Sequence, residues 1–212
     1  MDRFLVDGHS RAPLTLVLAH GAGAPMDSPF LARVAAGIAR EGVRVLRFEF
    51  PYMAARREGG AKRGAPDRPA LLEATWRDVI EEAAGTKGPE AVAIGGKSMG
   101  GRIASMVADE AGVAGLVCLG YPFHPPGQPD RLRVAHLEHL KTPALFLQGE
   151  RDAFGTRDEI ARYPLSKKIR ISFLPDGDHS FKPRASSGRT QEENLAEAVR
   201  LVSVFLGSLR SS

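Results

Sequence analysis

The 212-residue chain holds one cysteine and one tryptophan, and only 7% of its residues are aromatic. Its longest apolar runs, such as Leu14–Ala19 around Thr15, fall far short of the roughly 20 residues that a membrane span needs. Met1-Asp2-Arg3-Phe4 lacks the apolar h-region of a secretory leader, so no export signal is expected. Cys118 has no cysteine to pair with and fits a reducing, cytoplasmic compartment. Because it lies in the apolar run Gly115-Leu116-Val117-Cys118-Leu119, it is expected to be an inert core thiol. Twenty-nine basic residues against 25 acidic ones leave a net charge of only +4. That excess is too small to imply a nucleic-acid partner, and aromatic residues are not interleaved with the basic ones. No histidine–carboxylate or cysteine cluster has ligand spacing, so neither a metal nor an organic cofactor is implied.

What the sequence does have is an ordinary globular balance, 43% apolar and 25% charged, which excludes a disordered chain, a collagen and a coiled coil. At roughly 150 residues per domain, residues 1–212 are expected to form one domain. Short Val/Ile/Leu/Phe-rich runs bounded by Gly or Pro read as strands over Leu14–Ala19, Val43–Phe50, Glu90–Ile94, Gly115–Gly120, Ala144–Gln148 and Ile169–Leu174. Between them, i, i+3, i+4 spacing of apolar residues predicts helices over Phe30–Arg40, Leu71–Ala83, Met99–Ala108 and Leu195–Leu209. Ser28-Pro29 marks a helix entry, and Thr156…Glu159 and Thr190…Glu193 match the capping box. The alternation predicts an α/β fold with a three-layer, doubly wound, mostly parallel sheet. Ala54–Pro69 and Pro122–Arg133 read as loops, and Arg210-Ser211-Ser212 as a fraying tail.

The strongest chemical signal is Gly95-Gly96-Lys97-Ser98-Met99-Gly100-Gly101. Gly96, Ser98 and Gly100 fit G-x-S-x-G between a buried strand and an amphipathic helix, the context of a nucleophile elbow. The competing reading is a structural or phosphate-binding glycine turn, but the P-loop spacing G-x-x-x-x-G-K-[ST] is missing. A serine nucleophile needs a base, and the base needs an orienting acid. Asp152, after the strand Ala144–Gln148, and His179, after the strand Ile169–Leu174, supply them in the order Ser, Asp, His at the strand ends where open parallel sheets place ligands.

Other histidines fit less well. His20 is expected to organise its own loop, and His9 lies in the N-terminal strand-turn region. His124, His136 and His139 precede the acid and read as surface or loop residues. Glu150 is the alternative acid, Asp158 reads as first-turn helix charge, and Asp176 and Asp178 as turn-shaping residues. The loop Leu18-Ala19-His20-Gly21-Ala22-Gly23-Ala24-Pro25 is a candidate oxyanion hole, its N–H donors being Ala22 (or Gly23) and Met99. The plain alternative is an ordinary strand-to-helix turn. The basic stretch Arg56-Arg57-Glu58…Lys62-Arg63 reads first as a solvated loop, and second, with Lys97 and Arg102, as a binder of substrate carboxylate or phosphate.

On His20-Gly21-Ala22-Gly23, Gly96-Lys97-Ser98-Met99-Gly100, Asp152 and His179, the chain resembles the alpha/beta-hydrolase superfamily over nearly all its length. It is most similar to the small lid-less bacterial serine hydrolases of the dienelactone-hydrolase-like branch. Dienelactone hydrolases carry a cysteine nucleophile where this chain has Ser98, a departure that weighs against a dienelactone substrate. The usual N-terminal hairpin is truncated, leaving Arg3–Val6 for one edge strand. The usual lid position, between Tyr121 and a helix near His136–Leu140, holds only about 14 residues, four of them proline, which disfavours a helical cap. The resemblance implies a serine hydrolase acting on a small-molecule ester or thioester through an acyl-enzyme on Ser98, His179 and Asp152. The rival expectation is a non-catalytic scaffold of the same fold that binds a partner or ligand.

Overall fold

In the computed structural model, residues 3–59 and 65–209 are described. They form a seven-stranded sheet of order β1-β3-β2-β4-β5-β6-β7. The strands are β1 (Phe4–Asp7), β2 (Thr15–Ala19), β3 (Arg44–Phe48), β4 (Val92–Lys97), β5 (Gly115–Leu119), β6 (Ala144–Gly149) and β7 (Ile169–Leu174). All neighbours pair in parallel except β1, which runs antiparallel to β3 with Phe4 opposite Phe48. The expected edge strand is therefore present.

The sheet is covered on both faces, and the alternation of side chains along each strand shows why both must be apolar. In β2, Leu16 and Leu18 join the layer of α1 (Pro29–Arg40) and α6 (Gln191–Ser208), which includes Val34, Ile38, Val202 and Leu206. Val17 and Ala19 face the opposite layer, with Trp76, Val79, Ile103 and Val107 of α3 (Pro69–Ala84) and α4 (Met99–Ala111). Cys118 is fully buried there, and burial holds its thiol well above the usual thiol range. It packs as a small hydrophobe whose Sγ points at the Gly101 carbonyl.

Local chemistry sets the helix ends. Pro29 starts α1, Gly112 in the left-handed region ends α4, and complete capping boxes at Thr156 and Thr190 open α5 (Arg157–Ile160) and α6. Two of the differences from the expected boundaries bear on the site. The third expected strand runs on to Lys97, because β2 and β5 pair with Gly95 and Gly96 from both sides, while Glu90 lies in a 3₁₀ turn. The stretch expected as a loop from Ala54 begins inside a helix, α2 (Pro51–Arg57). Pro51 at its first position, buried Met53, and two arginines in its last turn stabilise that short helix despite the Gly/Arg-rich sequence beyond. Among the described residues, no helix is long and apolar enough to cross a membrane. The tail Arg210-Ser211-Ser212 lies outside the described residues.

Candidate active site

Strand β4 ends at Lys97 and α4 begins at Met99, so Ser98 must turn the chain within a single residue. It does so at φ 51°, ψ −115°, a conformation that costs a non-glycine residue about 1–3 kcal/mol. Ser98 N donates to Leu119 O at 3.0 Å, and Ser98 O accepts from Arg102 N at 3.0 Å, which holds the turn at both ends. The flanking glycine at 100 is a spatial requirement: a Cβ there would stand 2.6 Å from the His20 carbonyl oxygen. Helix and β2 loop thus approach too closely for any side chain between them.

His179 sits in the loop after β7. Asp178 Oδ1 accepts from Ser180 N (2.7 Å) and Lys182 N (2.9 Å), shaping the turn. Fully buried Asn194, from α6, donates to Pro175 O and Phe181 O and clamps both ends of that loop. Asp176, at φ 49°, is tied to Arg184, which holds its carboxyl below the usual range. Both aspartates act as turn-shaping residues, as expected.

Asp152 is fully buried in the turn after β6. Its Oδ1 accepts from Phe154 N at 2.9 Å, and its Oδ2 from Gln148 Nε2 at 2.9 Å. The same Oδ2 lies 2.8 Å from His179 Nδ1, and His179 Nε2 lies 2.9 Å from Ser98 Oγ. A carboxylate can only accept, so Nδ1 carries the proton and Nε2 is left to accept from the serine hydroxyl. The Phe154 ring packs on the imidazole with centroids 4.2 Å apart. Ser98, His179 and Asp152 are therefore brought into one hydrogen-bonded line. Glu150 is not part of it: its carboxylate receives Arg157 Nη2 and Asp176 N, which hold it below the usual range. Asp158 lies in the first turn of α5.

The His20 loop forms the facing wall. Phe50 N donates to His20 Nε2 at 3.1 Å, so Nδ1 is the protonated nitrogen and donates to Gly21 O at 2.6 Å. Burial pushes the His20 pKa down and favours this neutral state. Tyr52 Oη donates to Ala22 O at 3.1 Å, steadying the loop from α2. Neither Ala22 N nor Met99 N donates a hydrogen bond to a described residue, Met99 because it is the first residue of its helix.

His124 lies in a loop, as expected, but neither it nor His136 is a surface residue. His124 is buried, its Nδ1 donating to Pro125 O and its Nε2 3.5 Å from Glu159, because the proline-rich loop folds back onto α5. His136 is half-buried and hydrogen-bonded to Ser105 on α4. The basic stretch also resolves in part. Arg57 is locked to Asp27 and Glu49, and Arg56 stacks on Tyr52. Lys62 and Arg63 lie outside the described residues. Gln148, Tyr52, Phe154 and Asn194 were not singled out from sequence. Only Gln148 left a signal, as a polar residue closing an otherwise apolar strand.

Ser98 and His179 open on a cavity of about 370 Å³ whose walls include Gly21, Ala22, Gly23, Phe30, Leu31, Lys97 and Phe154. A larger groove of about 680 Å³ between α1 and α6 holds no nucleophile or imidazole, and chemistry favours the smaller one. Among the described residues, no three His, Cys, Asp or Glu side chains are grouped to hold a metal ion.

Residues 12–207 match the family model described as an alpha/beta hydrolase domain. The chain belongs to that family.

Solved alpha/beta hydrolases of similar shape bear out the fold. A dienelactone hydrolase from Anabaena variabilis superposes with a TM-score of 0.71 at 22% identity, over 96% of this chain and 89% of that one. A Xanthomonas campestris serine hydrolase without a lid gives 0.66 at 19% identity, over 92% and 86%. Est1E from Butyrivibrio proteoclasticus, solved with ferulic acid, gives 0.71 at 14% identity, over 99% and 95%. Sequence identity this low speaks for the architecture alone, a mostly parallel sheet with helices on both faces.

Proposed function

We propose that this alpha/beta hydrolase cleaves small carboxylic esters or thioesters through an acyl-enzyme on Ser98. The observation that carries the reading is the continuous line Ser98 Oγ–His179 Nε2 (2.9 Å) and His179 Nδ1–Asp152 Oδ2 (2.8 Å). His179 Nε2 takes the hydroxyl proton as Ser98 Oγ attacks the carbonyl carbon, and Asp152 stabilises the imidazolium that forms. The tetrahedral oxyanion is received by the free N–H groups of Met99 and of Ala22, or of Gly23 beside it. Each such donor is worth about 3 kcal/mol in the transition state. His179 then protonates the leaving alkoxide or thiolate. Water, deprotonated by the same nitrogen, attacks the acyl-enzyme and releases the acid.

The apolar cavity suits a short acyl group. Residues 1–212 act as a single hydrolase domain, and the buried lone cysteine fits a cytoplasmic enzyme. A fluorophosphonate probe should label the wild-type protein at Ser98, and Ser98→Ala should abolish both labelling and hydrolysis of short esters. Wild-type protein that resists labelling and hydrolyses no ester or thioester would favour the non-catalytic scaffold instead.

A further inference from the structure

Lys97 immediately precedes the proposed nucleophile, and its stem forms part of the cavity wall. Among the described residues, it and His179 are the titratable side chains in that wall. Its Nζ is buried and makes no hydrogen bond to a described residue. A buried ammonium without a partner is costly, and this one has only distant compensation. Nζ lies 5.6 Å from the centroid of the Phe30 ring. The point where a Cβ on Gly120 would stand lies 3.0 Å from Nζ, 3.1 Å from the His179 backbone oxygen and 3.3 Å from its Cε1. Asp152 and Asp178 favour the charged form through space, but burial outweighs them and pulls the amine down to about 8. Those carboxylates are already engaged, Asp152 by His179, Gln148 and Phe154, and Asp178 by two backbone amides. The amine therefore has no anion of its own.

We propose that Lys97 is a specificity residue that receives the terminal carboxylate of a short acyl chain, so that half-esters of short dicarboxylic acids are the preferred substrates of the Ser98 site. The inference rests on the proposed serine-hydrolase reading. No hydrogen bond holds Nζ in its present place, so rotation about the last bonds of the stem brings it into the cavity without breaking one. A carboxylate there forms a charge-assisted hydrogen bond. A neutral acyl chain of the same size leaves the amine buried and unpaired. The last residue of β4 is well placed for this role, because it adjoins Ser98 and lines the same cavity.

The test compares kcat/KM for monoethyl succinate with that for ethyl 4-methylpentanoate, in which an isopropyl group replaces the carboxylate. Wild type should favour the half-ester by about tenfold or more. Lys97→Met should collapse that ratio towards one, and Lys97→Arg should retain part of it. Lys97→Gln, which keeps a polar head and removes the charge, should behave like the methionine variant and serves if the latter fails to fold. A wild-type ratio at or below one, or a ratio unchanged in both neutral variants, overturns the proposal. Titration of succinate against acetate into the Ser98→Ala protein reads the site without turnover. Succinate should bind more tightly, and the difference should vanish when Lys97→Gln is added; equal binding overturns the proposal. If fluorophosphonate labelling and all turnover fail while this Lys97-dependent binding persists, the hydrolase reading falls and the anion site stands.

Discussion

Gln148 and Asp152, both fully buried, are joined by a 2.9 Å hydrogen bond from Nε2 to Oδ2, the oxygen that also faces His179. Gln148 Nε2 further contacts Tyr121 O and Gly155 O, so one amide ties the β5 and β6 loops to the acid of the proposed triad. A buried carboxylate of this kind depends on donors to stay aligned.

That arrangement grades three substitutions. Asp152→Asn should lower kcat by up to about 10⁴ by reversing the hydrogen bond that sets the histidine tautomer. Gln148→Met, which removes one donor, should cost about tenfold. Glu150→Gln should stay close to wild type, since Glu150 serves Arg157 and the β7 turn. Steady-state kinetics on one short ester decides the order. A harmless Asp152→Asn beside a crippled Glu150→Gln would move the acid by two residues.

The strained backbone at Ser98 leads to a stability prediction. Ser98→Gly and Ser98→Ala both lose the hydroxyl, but only glycine relieves φ 51°, ψ −115°. The glycine variant should therefore be the more stable of the two by about 1–2 kcal/mol. For a chain of this size that is a few degrees in melting temperature. Calorimetry of the pair checks it, and equal melting temperatures would show that the turn holds no strain.

His20 makes stability pH-dependent. Its folded pKa is depressed by burial, and its Nε2 must remain an acceptor for Phe50 N. As pH falls through about 6.5, the unfolded chain takes up a proton that the native protein still refuses. Stability from this group is thus full above 6.5 and is lost as pH drops towards the folded value. Melting temperature should fall between pH 7 and 5, and His20→Gln should flatten that slope while lowering stability at pH 7. An unchanged slope in the variant would assign the acid sensitivity to other groups.

Periodicity and punctuation in the sequence were enough to read the alternating strands and helices, both capping boxes, and the glycines around Ser98. Each of these depends on neighbours within a turn or a strand. The same local reading missed α2, where the Gly/Arg-rich composition beyond Arg57 outweighed about two helical turns fixed by Pro51 and by Arg57's ties to Asp27 and Glu49. It placed His124 on the surface or in a loop and did not foresee that this loop residue is buried, since its burial follows from the loop packing on α5.

The order Ser98, Asp152, His179 and their placement after strands were written in the chain itself, because strand ends and turns are local features. Their meeting was not. Residues 81 and 27 positions apart come within 3 Å only because β4, β6 and β7 lie in one parallel sheet with their C-terminal ends aligned. Tertiary structure alone also brought Tyr121 O onto the Gln148 amide and left Lys97 Nζ buried without a partner among the described residues. Hydrogen bonds and burial are properties of a neighbourhood, and only chain packing assembles one from distant segments.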